Sequence, residues 1–294
     1  EMDDGTGLAP FHRKYKERFF DVGIAEGHAV TFAAGLAAGG LKPVFAVYSS
    51  FLQRGFDQII HDVALQNLPV VFAVDRGGLV GSDGETHQGI FDLSYLSMIP
   101  NMTVMSPKNK WEFADMIRFA IGFTKGPVAI RYPRGTAYDG YREFRPAIEY
   151  GKSEAVFEEE DIALISVGHM FETAAKVREK LKEAGLNASL INARFVKPLD
   201  EERIAKLAED HRLLVTIEEN VESGGFGERV LEFANRMALD VRILNITLPD
   251  DYIEHGSVDM LRKEVMLDEE SILKKVLTVY AGMQHEIAMK KGDQ

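Results

Sequence analysis

The sequence predicts an α/β protein with two doubly wound domains. Short apolar runs typical of buried strands alternate with helical patterns, and this alternation favours largely parallel sheets. The pattern weakens over residues 133–155, where proline and glycine recur with little periodicity. The 294 residues are long for one domain and sufficient for two. We therefore expect domains at residues 1–135 and 156–294, joined by a linker at 136–155.

Both units follow the same order of strands and helices. Residues 1–18 are polar and weakly patterned, so we expect an irregular lead-in. Ser106 is a plausible N-cap for the predicted helix at residues 106–121. The predicted strands cover residues 19–22, 43–48, 70–75, 103–105, 128–132, 162–167, 188–192, 213–218 and 241–245. The predicted helices cover residues 24–38, 53–67, 92–98, 106–121, 171–184, 200–208, 226–237 and 270–280, with a frayed polar tail after the last.

The composition excludes several classes of protein. A net charge of −12 argues against general nucleic-acid binding, which needs a basic surface. The absence of cysteine excludes disulfides, cysteine-ligated zinc and a cysteine nucleophile. The longest nearly charge-free stretch, residues 29–41, is too short and too glycine-rich to span a bilayer, and no signal segment is visible. We expect a cytoplasmic enzyme. Because the chain starts at Glu1 rather than methionine, we also expect a fragment of a longer protein.

The most informative stretch is the loop that follows the apolar run at residues 70–74. Over residues 75–91 it reads DRGGLVGSDGETHQGIF, with five glycines among arginine, aspartate, glutamate and histidine. So flexible a loop is costly to order, and loops at strand ends commonly carry function. A solvated connection is one alternative. A metal site at Asp83, Glu85 and His87 is another, although their spacing follows no known metal motif.

Polar residues follow several of the predicted strands. Ligands of doubly wound sheets bind at the carboxyl ends of the strands, so these residues are candidates for a site. Glu26 also has a plain structural interpretation, because the helix dipole favours an acidic side chain in a first turn. The residue pattern alone leaves the two interpretations of Glu26 about even. The candidates are Asp21, Glu26, and residues 48–54, 76–87 and 131–134.

Several long motifs occur in an order that resembles one enzyme family. They are RFFDVGIAEGHAVTFAAG, YSSFLQRGFDQIIHDVALQNLPV, DRGGLVGSDGETHQGIFDLSYL, RYPRG, FVKPLD and EENVESGGFGERV. Together they resemble the 1-deoxy-D-xylulose-5-phosphate synthases, thiamine-diphosphate enzymes of the transketolase superfamily. The resemblance covers nearly the whole chain. It implies a pyrimidine-binding domain followed by a transketolase C-terminal-like domain.

The resemblance also implies a reaction. Enzymes of this family join pyruvate, with loss of CO2, to D-glyceraldehyde 3-phosphate. The product, 1-deoxy-D-xylulose 5-phosphate, is a precursor of isoprenoids, thiamine and pyridoxal. Thiamine diphosphate supplies the electron sink for this chemistry.

Individual roles follow from the resemblance position by position. Glu26 is implied to contact N1′ of the aminopyrimidine ring as an acid/base relay, and Phe51 is implied to stack on that ring. Asp83 and His87 are implied to be catalytic and to contact substrate hydroxyls, with His87 able to shuttle a proton near neutral pH. The implied phosphate-binding and acceptor-side residues are Arg76, Arg134, Tyr48 and Arg54.

The family's diphosphate-binding and Mg2+-binding parts have no counterpart in these motifs. In this family an N-terminal domain holds the cofactor's diphosphate and Mg2+ through a GDG…N motif, which the chain lacks. We therefore expect this chain to be inactive alone. The resemblance also implies a homodimer, and an alanine row on the first helix suits close approach of two helices. That row comprises Ala25, Ala29, Ala33 and Ala37.

Three alternatives remain open. A natural split transketolase C-terminal subunit, or the β subunit of a 2-oxoacid dehydrogenase, pairs the same two domains. DGETHQG is shared with transketolases and discriminates poorly, whereas QGIFDLSYL and RYPRG favour the synthase family. The third alternative is a non-catalytic dimerisation module, against which the intact set of candidate site residues argues.

Overall fold

Two five-stranded sheets form the framework of the computed structural model, which describes residues 5–292 apart from the side chains of 286–288 and 290–292. The first sheet has the order β1-β2-β4-β3-β8 and the second β10-β9-β6-β7-β5. The strands are β1 Val44–Tyr48, β2 Val71–Asp75, β3 Thr103–Met105, β4 Val128–Arg131, β5 Glu154–Phe157, β6 Ile162–Ser166, β7 Ala188–Asn192, β8 Phe195–Lys197, β9 Leu213–Val221 and β10 Arg242–Leu248.

Both sheets are parallel except at one edge. β8 runs antiparallel to β3, and β5 runs antiparallel to β7. The strands β2, β4, β6 and β9 lie inside the sheets. β2, β4 and β6 are mostly apolar, as buried parallel strands are expected to be, whereas β9 is buried but carries Glu218, Glu219 and Asn220 near its end. The expected fold class, two doubly wound α/β units, is confirmed.

Helices connect the strands. The α-helices are α1 Ala9–Lys14, α2 Glu26–Ala38, α3 Ser49–Leu52, α4 Phe56–Gln58, α5 Asp92–Ser97, α6 Lys110–Gly122, α7 Met170–Glu183, α8 Glu201–Asp210, α9 Phe226–Arg236, α10 Val258–Glu264 and α11 Glu269–Gly292. A 3₁₀ turn, Gln53–Gly55, and a π-helical segment, Ile59–Ala64, interrupt the predicted helix at residues 53–67. None of the helices in the described part of the chain has the length and apolar character needed to cross a bilayer.

The start of the chain departs from the predictions. Residues 9–14 form α1, which has proline in its first turn, so this part of the predicted irregular lead-in is wrong; residues 1–4 lie outside the described part. The predicted strand at 19–22 is also wrong. The Asp21 carboxylate accepts a hydrogen bond from the Gly23 N–H at 2.9 Å, and Gly23 has φ +65°. This local turn ends any extended run before α2.

Two predictions about helices are wrong. Asn109, not Ser106, caps α6, because its side chain accepts a hydrogen bond from Glu112 N–H at 2.9 Å. Ser106 instead donates its hydroxyl to the Arg131 carbonyl at 2.9 Å. The helix predicted at 270–280 continues as α11 to Gly292, so the described part of the predicted frayed tail is helical.

The alanine row of α2 does not form an outer surface. Ala29, Ala33 and Ala37 are buried inside this chain, and Ala33 and Ala37 belong to a core cluster with Val63 and Leu93. The expectation that this row lies at a dimer contact is therefore not met, because the row packs against the chain's own core.

Strand β8 connects the two halves of the chain. It follows β7 of the second sheet in sequence, yet it pairs with β3 of the first, with Phe195 opposite Met105 and Lys197 opposite Val104. One core cluster also contains residues from both sheets, such as Phe72 and Leu214. The two units therefore share buried surface.

Candidate active site

The two ends of the glycine-rich loop after β2 are buried against the second domain, while Ser82, Asp83, Glu85 and Thr86 in its middle are exposed. Gly78 and Gly89 form an antiparallel bridge, with Gly78 N–H donating to the Gly89 carbonyl at 2.6 Å. Leu79 N–H donates to Glu219 Oε2 at 2.9 Å, and Val221 N–H donates to the Ile90 carbonyl at 3.0 Å. These contacts fix the loop to β9, so the alternative of a solvated connection is wrong.

Gly78 is required at its position by both conformation and space. Its φ is +86°, and a Cβ there would lie 2.1 Å from Glu219 Oε2. No other residue could bring the loop backbone this close to a carboxylate of the second domain.

Glu26 lies at the first position of α2 with its side chain buried. It lines a small cavity of about 30 Å³ together with Tyr48 and Phe51. Tyr48 is the last residue of β1, and Phe51 lies in α3, directly after that strand. The carboxylate pairs with the guanidinium of Arg54, a side chain about half exposed, and that guanidinium lies 4.7 Å from the Phe51 ring centroid. A buried carboxyl can hydrogen-bond to a ring nitrogen, and the aromatic ring beside it can stack on a planar ring. The pair therefore suits a planar, nitrogen-containing ring.

Arg76 and Arg134 meet at a shared carboxylate. Asp83 Oδ2 accepts hydrogen bonds from Arg76 Nη1 at 3.1 Å and from Arg134 Nη1 at 3.3 Å. Arg134 Nη1 also donates to the Val80 carbonyl at 3.1 Å. The parallel register Tyr48↔Asp75 and Val74↔Arg131 brings these strand ends side by side. Paired guanidinium groups are the side chains that suit a doubly charged oxyanion such as phosphate, although Asp83 is their partner here.

An aromatic stack joins the Glu26 pocket to the arginine pair. The guanidinium of Arg76 lies 3.8 Å from the Tyr48 ring centroid, and the Tyr48 and Phe51 centroids are 5.3 Å apart. His87 meets the Phe51 ring edge-on, with centroids 5.3 Å apart. The eight side chains that the family resemblance singles out are therefore linked by direct contacts: Glu26, Arg54, Phe51, Tyr48, His87, Arg76, Asp83 and Arg134.

A larger cavity of about 310 Å³ opens beside the arginines. Asp75, Arg76, Arg134 and His169 are among its lining residues. Burial raises the pKa of Asp75, although its hydrogen bond from Arg76 N–H and the nearby guanidinium groups oppose the shift. Burial also raises the pKa of Tyr48, against the Arg76 charge. The cavity is therefore lined by two guanidinium groups and by a carboxyl whose burial opposes its ionisation.

Tyr48 also presents a polar atom that calls for a ligand. Its hydroxyl is buried and has no hydrogen-bond partner among the described residues. A buried hydroxyl without a partner is costly, and this one lines the same small cavity as Glu26. The donor set therefore fits one edge of a bound aminopyrimidine. Within residues 5–292, no three His, Asp or Glu side chains are grouped as a metal site would require.

The second domain contributes residues that the sequence patterns did not single out. Glu219, on β9, accepts hydrogen bonds from His169 Nε2 and Arg262 Nε, both at 2.7 Å. From the first domain, Arg131 of the candidate range 131–134 is fully buried and donates to Asp92 Oδ2 at 3.1 Å and to the Glu219 carbonyl at 2.8 Å. Glu219 was visible only as part of the EEN motif, and nothing in the sequence indicated that its partners lie in three separate segments.

Two family models match the chain along most of its length. The transketolase pyrimidine binding domain matches residues 1–138, and the transketolase C-terminal domain matches residues 151–272. The protein is 56% identical to 1-deoxy-D-xylulose-5-phosphate synthase of Lachnoclostridium phytofermentans over 94% of this chain and 44% of that protein. It is 50% identical to the Aquifex aeolicus synthase over 96% of this chain and 45% of that protein.

Solved structures agree with the sequence comparison. A split gene transketolase, described as an inactive beta4 tetramer, matches with a TM-score of 0.86 and 25% identity, covering 96% of this chain and 90% of that chain. A Campylobacter jejuni transketolase matches with a TM-score of 0.71 and 15% identity, covering 88% and 39%. The latter shows the fold alone.

The fold and these matches define a pair of transketolase-type domains, one pyrimidine-binding and one C-terminal. By these two domain matches, the chain belongs to the transketolase family, and the curated relatives it is similar to are 1-deoxy-D-xylulose-5-phosphate synthases. It spans a little under half the length of the curated relatives named here.

Proposed function

We propose that this chain carries the pyrimidine-binding and acceptor-binding parts of a 1-deoxy-D-xylulose-5-phosphate synthase. The complete enzyme would join pyruvate, with loss of CO2, to D-glyceraldehyde 3-phosphate. Sequence identity of 50–56% to named synthases supports the reaction. The observation that carries the proposal is the Arg76–Asp83–Arg134 cluster, linked through an aromatic stack to buried Glu26.

Thiamine diphosphate fits the Glu26 side of the site. When bound, this cofactor supplies the electron sink for decarboxylation of a 2-oxo acid. Glu26 would hold or exchange a proton at a ring nitrogen of the aminopyrimidine, and Phe51 would stack on the ring. Arg54 pairs with Glu26 and covers Phe51, so it keeps the carboxyl oriented and would also face the acceptor. The diphosphate and Mg2+ would be held mainly by an N-terminal domain of the complete enzyme.

The acceptor would bind on the arginine side. Arg76 and Arg134 would take the phosphate of D-glyceraldehyde 3-phosphate, while Asp83 holds them at the right separation. Tyr48 covers the Arg76 guanidinium and keeps it from water. Asp83 and His87 would contact substrate hydroxyls, and His87 would move a proton there.

We further propose that the complete protein is a cytoplasmic homodimer. Exposed apolar side chains close in sequence to Glu26 support the dimer, since Phe20 and Ile24 are 58% and 75% exposed just before α2. Large apolar side chains left together on a surface commonly mark an interface. This surface replaces the buried alanine row as the candidate contact.

A split transketolase subunit is the second candidate. The match to a split gene transketolase over nearly the full length of both chains favours it. The 25% identity in that match is about half the identity to the synthases, which favours the synthase.

Calorimetric titration of the chain with glycerol 3-phosphate tests the acceptor assignment. Glycerol 3-phosphate should bind much more tightly than glycerol. Arg134→Ala should weaken binding roughly tenfold or more, because a charge-assisted hydrogen bond contributes about 1.5–3 kcal/mol. Arg118→Ala is the matched control, since Arg118 is exposed and pairs only with Asp115 among the contacts of the described chain. Equal binding of glycerol and glycerol 3-phosphate would contradict the assignment.

A further inference from the structure

His169 brings a side chain of the second domain to the cavity beside the arginines. It directly precedes α7 and lines the same space of about 310 Å³ as Arg76 and Arg134. The preceding residue, Gly168, has φ +57°, and a Cβ there would lie 2.0 Å from Ser106 Oγ. This close backbone approach, which only glycine allows, places His169 against the first domain.

The hydrogen bond from His169 to Glu219 sets the tautomer of the imidazole. Burial opposes ionisation of Glu219, but the Arg262 charge and the hydrogen bonds from His169 and Arg262 outweigh it and hold the pKa of that carboxyl well below its usual range. An ionised carboxylate can only accept hydrogen bonds. The hydrogen of the 2.7 Å contact therefore lies on His169 Nε2.

The opposite ring nitrogen is left as an acceptor. Burial lowers the pKa of His169, despite the Glu219 charge, so the imidazole is neutral near pH 7 and Nδ1 carries no hydrogen. Nδ1 is buried and has no hydrogen-bond partner among the described residues, while the whole side chain is only 10% exposed. A buried acceptor left unpaired is costly, so this atom calls for a donor from a ligand.

The residues that line the cavity limit which hydrogen-bond donor could reach His169 Nδ1. Its cations, Arg76 and Arg134, suit a fully ionised phosphate, which has no hydrogen to donate. Lys108 also lines the cavity, but its ammonium group is committed to Glu154 and to the Phe144 carbonyl. Since neither the phosphate nor Lys108 supplies the hydrogen, the donor to His169 Nδ1 would be a hydroxyl group of a small phosphorylated ligand.

We propose that His169 Nδ1 accepts a hydrogen bond from a hydroxyl of the phosphorylated acceptor, so that His169 selects hydroxylated over deoxygenated phosphate esters. This inference rests on the proposed acceptor site. It adds to that site a specificity residue from the C-terminal domain, oriented by Glu219.

Paired ligands separate the hydroxyl from the phosphate. Glycerol 3-phosphate and n-propyl phosphate share the phosphate, but only the first carries hydroxyl groups. In calorimetric titrations of the chain, glycerol 3-phosphate should bind about 3- to 10-fold more tightly, as expected for one net hydrogen bond. His169→Phe should bring the ratio close to one without weakening n-propyl phosphate. His169→Asn, whose amide oxygen can occupy a place near Nδ1, should retain part of the preference.

A measurement on the unsubstituted chain covers the case in which His169→Phe does not fold. The ¹⁵N resonance of His169 Nδ1 should shift on addition of glycerol 3-phosphate and much less on addition of n-propyl phosphate. Equal shifts, or an unchanged ligand ratio in folded His169→Phe, would overturn the inference while leaving the phosphate assignment in place. Failure of both esters to bind the unsubstituted chain would overturn the inference and the acceptor site together.

Discussion

Replacing Glu219 with glutamine should weaken the attachment of the glycine-rich loop to the second domain. The Glu219 side chain is 1% exposed and accepts hydrogen bonds from Leu79 N–H, His169 Nε2 and Arg262 Nε at 2.7–2.9 Å. Glutamine has nearly the same shape, so the change removes the charge and one acceptor with little loss of volume. The Arg262 guanidinium would then lack its buried partner.

The magnitude follows from the burial of the pair. Removing one member of a buried ion pair costs about 3–5 kcal/mol, compared with about 0–1 kcal/mol for an exposed pair. Arg262 keeps 23% of its side chain exposed, which places the expected loss toward the lower end of the range for buried pairs. We expect the free energy of unfolding to fall by about 3 kcal/mol at pH 7.

Urea denaturation monitored by circular dichroism measures this loss. Glu201→Gln is the matched control, because Glu201 pairs with Arg236 at the surface. The pKa of Glu219 is lowered in the folded state, so its stabilisation is present above the ordinary glutamate pKa and is lost as pH falls below it. The difference between wild type and Glu219→Gln should therefore shrink below about pH 5. A loss no greater than that of the Glu201 control at pH 7 would refute the reasoning.

Three further substitutions test other parts of the structure. In the complete enzyme, Glu26→Gln should lower turnover about 10²- to 10⁴-fold with an unchanged circular dichroism spectrum, and near-normal turnover would contradict its proton-relay role. Gly168→Ala should destabilise the fold about 1–3 kcal/mol more than Gly185→Ala in thermal or urea unfolding, because both glycines have positive φ but only Gly168 lies against Ser106. Burial raises the pKa of Glu218 to about 7, so the folded state favours its protonated form. That stabilisation is present at low pH and is lost as pH rises from about 4.5 through about 7. Stability measured from pH 5 to pH 8 should fall more steeply in wild type than in Glu218→Gln, and parallel curves would show that Glu218 is already ionised.

The central strands could be predicted because their burial appears directly in the sequence. β6 and β7 are short, mostly apolar runs that are fully buried, and their observed ends lie within one residue of the predicted ones. β8 could not be predicted in this way. It has three residues, Phe195–Lys197, and it exists only because β3 of the other sheet pairs with it.

Local competition explains the predictions that failed near the site. Ser106 has the residue type of an N-cap, but its hydroxyl is used by the Arg131 carbonyl, and Asn109 caps α6 instead. The segment at 19–22 has strand-like residues, but the turn at Asp21 and Gly23 ends it. In both cases a side-chain hydrogen bond decided the structure, and residue preferences alone do not reveal it.

Some residues of the candidate site could be proposed from the sequence, and others could not. Glu26, Arg76 and Arg134 could be proposed from motifs, because their neighbours in sequence define their positions at a helix start and at strand ends. Their partners His169 and Glu219 could not be proposed in this way, because they come from two segments far from the loop in sequence. Their roles depend on how the two domains pack.

The most direct test of the account is a calorimetric titration of this chain, alone, with thiamine diphosphate and Mg2+, followed by glycerol 3-phosphate. We propose that this chain supplies the pyrimidine wall and the acceptor phosphate site, and that an N-terminal domain holds the diphosphate. We therefore expect no detectable Mg2+-dependent binding of thiamine diphosphate, together with clear binding of glycerol 3-phosphate by the same sample. Tight Mg2+-dependent cofactor binding, or no binding of glycerol 3-phosphate by the folded chain, would contradict this proposal.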